Sequence, residues 1–345
     1  MLLSILYFVI MLGIIVCVHE FGHFFFAKLF GIYVYEFSIG MGPKIFSKKG
    51  RGGETTYSIR AIPIGGFCQL AGEGLDEDGK LPKDRLLQSK PVWQRFLVMF
   101  FGAGNNFLLA LITLFFLGLI LGSPKTSTVI PSVVTGSPAD IGGMISNDKI
   151  LEIDGHSVKT LEDIQLYLTI AKGETEIVVL RDNKEVTLKM TPLSEEEAEK
   201  AGYTFGMEFD NKIEYGFFNA IKYSFTKFGA LVRQMFNTFK GLFTGDISVR
   251  ELSGPVGIYS AVDEMKSSGF ANLFYLLALL SLNVGFVNLI PFPAFDGGRI
   301  LFLIIEKLRG KPVKAETENL IHNIGFFILL ALIIYVTIND IIKLF

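Results

Sequence analysis

Four long apolar runs limit what this chain can fold into. Residues 2–18, "LLSILYFVIMLGIIVCV", form the first. The second covers about 96–121, the third about 270–292, and a shorter fourth lies near 321–338. A helix of roughly 20 apolar residues spans the hydrocarbon core of a bilayer, so four membrane-crossing helices are expected. Half of the 345 residues are hydrophobic, too many for an ordinary soluble chain. A net charge of −2 argues against nucleic acid as a partner. Two cysteines, Cys17 and Cys68, cannot build a disulfide framework and are expected as free thiols. No basic segment precedes the first run and no small-residue cleavage site follows it, so it reads as a retained anchor.

The basic residues orient the spans. No Lys or Arg precedes the first run, whereas residues 28–95 carry eleven. Arg299, Lys307, Arg309, Lys311 and Lys314 follow the third run. The positive-inside rule puts both basic segments in the cytoplasm and residues 122–269 outside. Within the outer region, "TVIPSVV", "DKILEID" and "TEIVVL" read as strands, "TLEDIQLYLTI" as a helix and "RDNKEVTLKM" as a hairpin. These make one small α/β domain within 122–215. Residues 216–269 form a linker with an amphipathic helix: Phe218, Ile221, Phe225, Phe228, Val232, Met235, Phe236 and Phe239 fall on one side. Aromatic bulk with interspersed Lys and Arg suits a membrane interface, or else packing on the small domain.

Residues 1–121 contain, between the first two spans, a second β pattern. Tyr33, Tyr35, Phe37 and Ile39 alternate with Val34, Glu36 and Ser38, and Tyr57, Ile59 and Ala61 alternate with Ser58 and Arg60. "AIPIGGFCQL" follows, with Pro63, Gly65 and Gly66. Proline confines a strand to an edge. An apolar hairpin between two spans can re-enter the membrane if protein or water satisfies its backbone.

The first run ends in "CVHEFGHFFFAK". His19 and His23 are four apart and leave one face of a helix, with Glu20 beside them. This is H-E-x-x-H, in which two histidines bind zinc and the glutamate acts as base. Catalytic zinc sites usually add a third protein ligand and keep a fourth position open. His156 lies in the outer region and His322 near the start of the fourth run, so neither is a clear third ligand. Asp296, in "NLIPFPAFDGGRI", is the carboxylate alternative. The first and third spans run in the same direction, so His19, His23 and Asp296 reach the same membrane face. Taken alone, Asp296 reads better as a turn or helix-cap residue before Gly297-Gly298. Pro291 and Pro293 break the helix after the third span. Asn283 and Asn288 either bond neighbouring helices or hold a substrate backbone near the metal.

"HEFGH", "NLIPFPAFDGG" and "IPIGGFCQLAGE", with the outer domain, resemble the site-2 protease family of intramembrane zinc metalloproteases, in its bacterial regulator-of-sigma-E protease type. The resemblance covers essentially the whole chain. It implies a mainly α-helical membrane protein of the bacterial cell membrane, with a membrane-re-entrant β-hairpin region, one extracytoplasmic PDZ-like domain and its last two spans in residues 270–345. It implies a zinc endopeptidase in which His19, His23 and Asp296 bind Zn2+ and Glu20 is the base. It further implies that Asn283, Asn288, Gly65, Gly66 and Phe67 meet the substrate, a single-span membrane protein such as an anti-sigma factor or a signal-peptide remnant. Two departures stand out. Gly102-Ala103-Gly104-Asn105-Asn106-Phe107 lacks the proline of the family's G-P-x-x-N-F, and Asn147 replaces a glycine usual in the PDZ pattern. Two rivals differ in what they need. A transporter would need an internal repeat of the broken third span, and a scaffold would not need Glu20.

Overall fold

The computed structural model describes residues 2–73, 79, 81–124, 127–171, 173–209, 212–245 and 247–343. Helix α1 (Leu2–Leu29) is followed by strands β1 (Val34–Lys49) and β2 (Thr56–Leu70) and helix α2 (Val92–Leu121). Then come β3 (Ser123–Pro124), β4 (Ser132–Val133), α3 (Pro138–Ile141), β5 (Lys149–Ile153), β6 (His156–Ser157) and α4 (Leu161–Ile170). Next are β7 (Thr175–Arg181), β8 (Lys184–Met190), α5 (Glu195–Ala201), β9 (Met207–Glu208) and β10 (Ile213–Glu214). The chain closes with α6 (Phe217–Thr244), α7 (Pro255–Ser267), α8 (Phe270–Leu289), α9 (Asp296–Arg309) and α10 (Ala315–Lys343).

Among the described residues, four helices are long and apolar enough to cross a membrane, α1, α2, α8 and α10; they cover the four runs except for the last three residues of the third. Helix α1 continues through the H-E-x-x-H segment to Leu29, because nothing between Cys17 and Lys28 breaks it. Helix α8 stops at Leu289, two residues before Pro291, which has no N–H to continue the ladder. The missing proline in the second span leaves α2 unbroken from Val92 to Leu121.

The chain divides into two compact units, Met1–Thr113 with Thr238–Phe345, and Leu114–Asn237. In the first, β1 and β2 bend back on themselves into a small sheet of order 66–69, 36–39, 56–59, 44–49, in which 36–39 and 56–59 run in the same direction. Residues 36–39 pair with 56–59 on one side and with 66–69 on the other, and Lys44–Lys49 pair with Arg60–Thr56. Residues 66–69 therefore form an edge, as Pro63 and the glycines suggest. The alternation read in the sequence is present, but its polarity is inverted. Val34, Glu36, Ser38 and Ser58 are buried, while Ile39, Met41, Ile45, Phe46, Ile59 and Ile62 are exposed. Glu36 is satisfied inside by Arg60 at 2.8 Å, by Lys44 at 2.8 Å and by the Ser58 hydroxyl.

In the second unit, an antiparallel sheet of order β6-β5-β7-β8 closes on α4. Its core holds Ile130, Met144, Ile150, Ile153, Ile164 and Ile177. Helix α4 starts at a capping box, in which Thr160 accepts from Asp163 N–H and Asp163 accepts from the Thr160 N–H. The hairpin turn falls at Asp182-Asn183, both left-handed, so "RDNKEVTLKM" supplies the turn and second strand while "TEIVVL" is the first. Asn147 has φ +71°, which explains its position: asparagine tolerates the left-handed region that otherwise favours glycine. Arg181 grips Asp148 with two bonds of 2.8 and 2.6 Å. Burial would push the Asp148 carboxyl up, but Arg181 and the Ile145 N–H outweigh it and hold it below its usual range. In α6, Phe218, Phe225 and Phe236 are exposed, whereas Ala220, Ser224, Ala230 and Leu231 are buried.

Candidate metal centre

The site begins with the approach of α1 to α2. A Cβ on Gly22 would lie 1.9 Å from the Phe101 carbonyl oxygen, so only glycine permits this spacing. A Cβ on Gly102 would lie 2.4 Å from His23 Nε2 and 2.9 Å from Asp296 Oδ2. Glycine thus leaves the space in which the imidazole and carboxylate meet.

Asp296 is the first residue of α9. The chain from Leu289 folds back over it: a Cβ on Gly297 would lie 2.2 Å from the Ile290 carbonyl oxygen, and one on Gly298 2.5 Å from that of Phe292. The pair Gly297-Gly298 is therefore required by packing as well as by the turn. Helix α9 is fastened to α2 by a two-pronged Arg95–Glu306 pair and to residue 73 by Arg299–Glu73.

His19 Nε2 is 3.2 Å from Asp296 Oδ2, His23 Nε2 is 3.4 Å from the same oxygen, and the two Nε2 atoms are 3.3 Å apart. Two ligand atoms about 2.05 Å from a tetrahedral ion are about 3.3 Å apart, so the triangle has zinc dimensions. The tautomers agree. His23 Nδ1 donates to the Val98 carbonyl at 2.8 Å, which leaves Nε2 with a bare lone pair. Asn106 Nδ2 lies 3.3 Å from His19 Nδ1, while its Oδ1 is buried without a partner among the described residues. Turning that amide over presents Oδ1 to an Nδ1–H and bares the second Nε2. Asp296 Oδ2 is also buried without a hydrogen-bond donor. Three acceptors facing one another repel unless a cation lies between them, so the residues fit a zinc ion.

Glu20 lies beside this triangle and beside β2. A Cβ on Gly66 would lie 3.7 Å from Glu20 Cγ. Leu70 N–H turns to Glu73. Backbone donors alternate in direction along a strand, so Gly66 N–H shares the edge of Cys68 and Leu70, away from β1. Gly65 has φ +89°. The Arg60 guanidinium lies 4.9 Å above the Phe67 ring. On α8, Asn288 Nδ2 donates to the Val284 carbonyl at 3.0 Å, and Asn283 Oδ1 is buried without a partner among the described residues. His156 is exposed, stacked on Tyr167 in the second unit. Cys17 and Cys68 are free.

Gly22 within H-E-x-x-H, and Gly102 and Asn106 within the stretch compared with G-P-x-x-N-F, were visible in the sequence without a role at the site, and Val98 had no signal. The glycines are two bare positions in otherwise bulky apolar helices, a pattern that marks close helix contact.

Two imidazoles and a carboxylate in a triangle of zinc dimensions, with a glutamate on the adjoining residue, are the donor set and base that a metallopeptidase centre uses, and they lie among helices long and apolar enough to cross a membrane. The pattern of Peptidase family M50 matches residues 7–332, and the chain belongs to this family, that of the site-2 proteases. It is a zinc metalloendopeptidase and a membrane protein. A relative from Fusobacterium nucleatum is 38% identical over 341 residues, covering 98% of each chain. The zinc metalloprotease RasP of Bacillus licheniformis is 32% identical over 420 aligned positions, 99% of each chain. The regulator of sigma-W protease RasP of Bacillus subtilis is 32% identical over 421, again 99% of each.

Proposed function

We propose that the chain hydrolyses peptide bonds within or beside membrane-spanning segments, holding Zn2+ on His19, His23 and Asp296 and using Glu20 as the base. The observation that carries this reading is the triangle of three bare acceptor atoms with Glu20 alongside. When bound, zinc supplies Lewis-acid activation of water and of the scissile carbonyl. Glu20 takes the proton of the attacking water as the C–O bond forms, then delivers it to the leaving nitrogen as the C–N bond breaks.

A helical substrate must unwind first, since its amides are committed to i to i−4 bonds. The edge at Gly66, Cys68 and Leu70 offers a strand partner for the exposed backbone, and this edge runs past Glu20. Gly65, Gly66 and Phe67 are therefore assigned to substrate binding. The unpartnered Asn283 Oδ1 supports a role toward a substrate N–H, and Asn288 is assigned to the same surface. The inverted polarity of the hairpin supports membrane re-entry, because exposed apolar side chains around a polar interior suit lipid.

The basic segments support a cytoplasmic active-site end and an outer α/β unit, which we read as PDZ-like, in a bacterial cell membrane. The name of the Bacillus subtilis relative supports single-span anti-sigma factors as the substrate class, and signal-peptide remnants present the same kind of segment. Glu20→Gln tests the mechanism. It should abolish cleavage of a single-span substrate in vesicles while the purified protein keeps its zinc. Wild-type turnover by this variant would refute the role of Glu20.

A further inference from the structure

The loop that delivers Asp296 contains a residue in a costly conformation. Ala294 has φ +84°. For an L residue other than glycine this region costs about 1–2 kcal/mol and persists only where the surroundings impose it. Most of the loop is tied to itself. Phe292 N–H donates to the Ile290 carbonyl at 2.7 Å, Phe295 N–H to that of Phe292 at 3.2 Å, and Gly298 N–H to that of Phe295 at 3.1 Å.

Ala294 N–H is the exception. It donates to His322 Nδ1, on α10, at 3.1 Å. Three residues further along α10, Gly325 lies under the same loop: a Cβ there would be 2.4 Å from Pro293 Cβ and 2.6 Å from its carbonyl oxygen. Helix α10 is bare where the loop rests and carries an acceptor where the loop has a donor to satisfy. The His322 ring is itself set against Phe302 of α9, with centroids 5.6 Å apart.

We propose that His322 is a positioning residue for the Asp296 ligand. Its Nδ1 holds the Ala294 N–H, which fixes residue 294 in the left-handed region and so sets the carboxylate two residues on. Without that acceptor the N–H is orphaned among packed helices, and the loop relaxes toward negative φ. A shift of about 1 Å at a ligating oxygen suffices to weaken a metal site. The proposal rests on the reading of Asp296 as a ligand.

The test uses the full chain in detergent, with three readouts: zinc affinity by chelator competition, the visible spectrum of the cobalt(II)-substituted protein, and kcat and KM on a single-span substrate. Asparagine places its Oδ1 near the position of Nδ1, and leucine fills the space without an acceptor. His322→Leu should weaken zinc binding about 10- to 100-fold, the range for lost outer partners of metal sites. It should also shift the cobalt bands and lower kcat with little change in KM. His322→Asn should restore affinity to within about threefold and recover the wild-type bands. Wild-type affinity and bands in His322→Leu would overturn the proposal, as would equal impairment of the leucine and asparagine variants, which points to packing alone. Asp296→Ala separates the two claims: full zinc affinity in that variant would overturn the ligand reading itself.

Discussion

The sheet of the α/β unit and the β1–β2 sheet have opposite polarity. In the first, Ile150, Ile153, Ile177 and Val179 are fully buried while Lys149, Glu152, Lys184 and Glu185 face outward. In the second, Glu36 and Ser38 are buried, and Ile45 and Phe46 are 71% and 56% exposed. Each side chain is placed by what lies beyond the sheet. A water-facing sheet hides its apolar face. A sheet that hides Glu36 against Arg60 and Lys44 while showing isoleucine and phenylalanine is suited to lipid. Alternation alone therefore locates a strand without saying which face is inside.

The glycines differ in the same way, and here the largest effect is expected. In the α/β unit Gly155 and Gly173 have open space where a Cβ would be, and only their positive φ needs glycine. Gly102 has His23 and Asp296 there instead. Gly102→Val should remove zinc from the purified protein and lower cleavage by about 100-fold or more. Gly155→Asn should leave both within about twofold, since asparagine tolerates the left-handed region. Metal content and turnover check both, and a Gly102→Val variant with full zinc would contradict the close packing.

The polarity contrast is tested by adding a charge on each side. Phe46→Asp puts a carboxylate where lipid is expected and should lower cleavage in vesicles about tenfold. Ile141→Asp, at a site 80% exposed in the α/β unit, should change it by less than about twofold. Equal tolerance at both sites would place the β1–β2 sheet in water.

A smaller effect is expected at the buried ion pair of the α/β unit. Asp148→Asn should lower its stability at neutral pH by on the order of 2 kcal/mol, since a charged partner of Arg181 is lost. The Asp148 carboxyl is held low in the folded chain, so its contribution is present above the ordinary carboxylate pKa of about 4 and is lost as pH falls through the lowered value. Thermal unfolding followed from pH 7 to pH 3 should show the wild type converging on the variant. Parallel curves would contradict the assignment.

Much of this was legible in the sequence. The four spans follow from apolar length, and His19, Glu20 and His23 from their spacing on one helix face. Asp296 was expected near them on the reading that the first and third spans end on one membrane face, and its carboxylate lies within 3.4 Å of both histidines. The remainder depends on tertiary approach. Nothing local marks Val98 O as the partner of His23, and the stretch that contains Asn106 does not say which side chain its amide meets. His322 was legible as a histidine near the fourth span and not as a support, because its partner is a backbone N–H whose strained conformation has no sequence signature. The polarity of the β1–β2 sheet was hidden for a related reason: the sequence shows the period of a strand but not its surroundings.

The central claim is that His19, His23 and Asp296 together hold zinc. X-ray absorption at the zinc edge of purified Glu20→Gln protein tests it most directly. The account predicts one zinc per chain, with two imidazole nitrogens and carboxylate oxygen at about 2.0–2.2 Å. A sulfur neighbour at about 2.3 Å, which would bring in Cys17 or Cys68, or a zinc shell unchanged in Asp296→Ala protein, would contradict it.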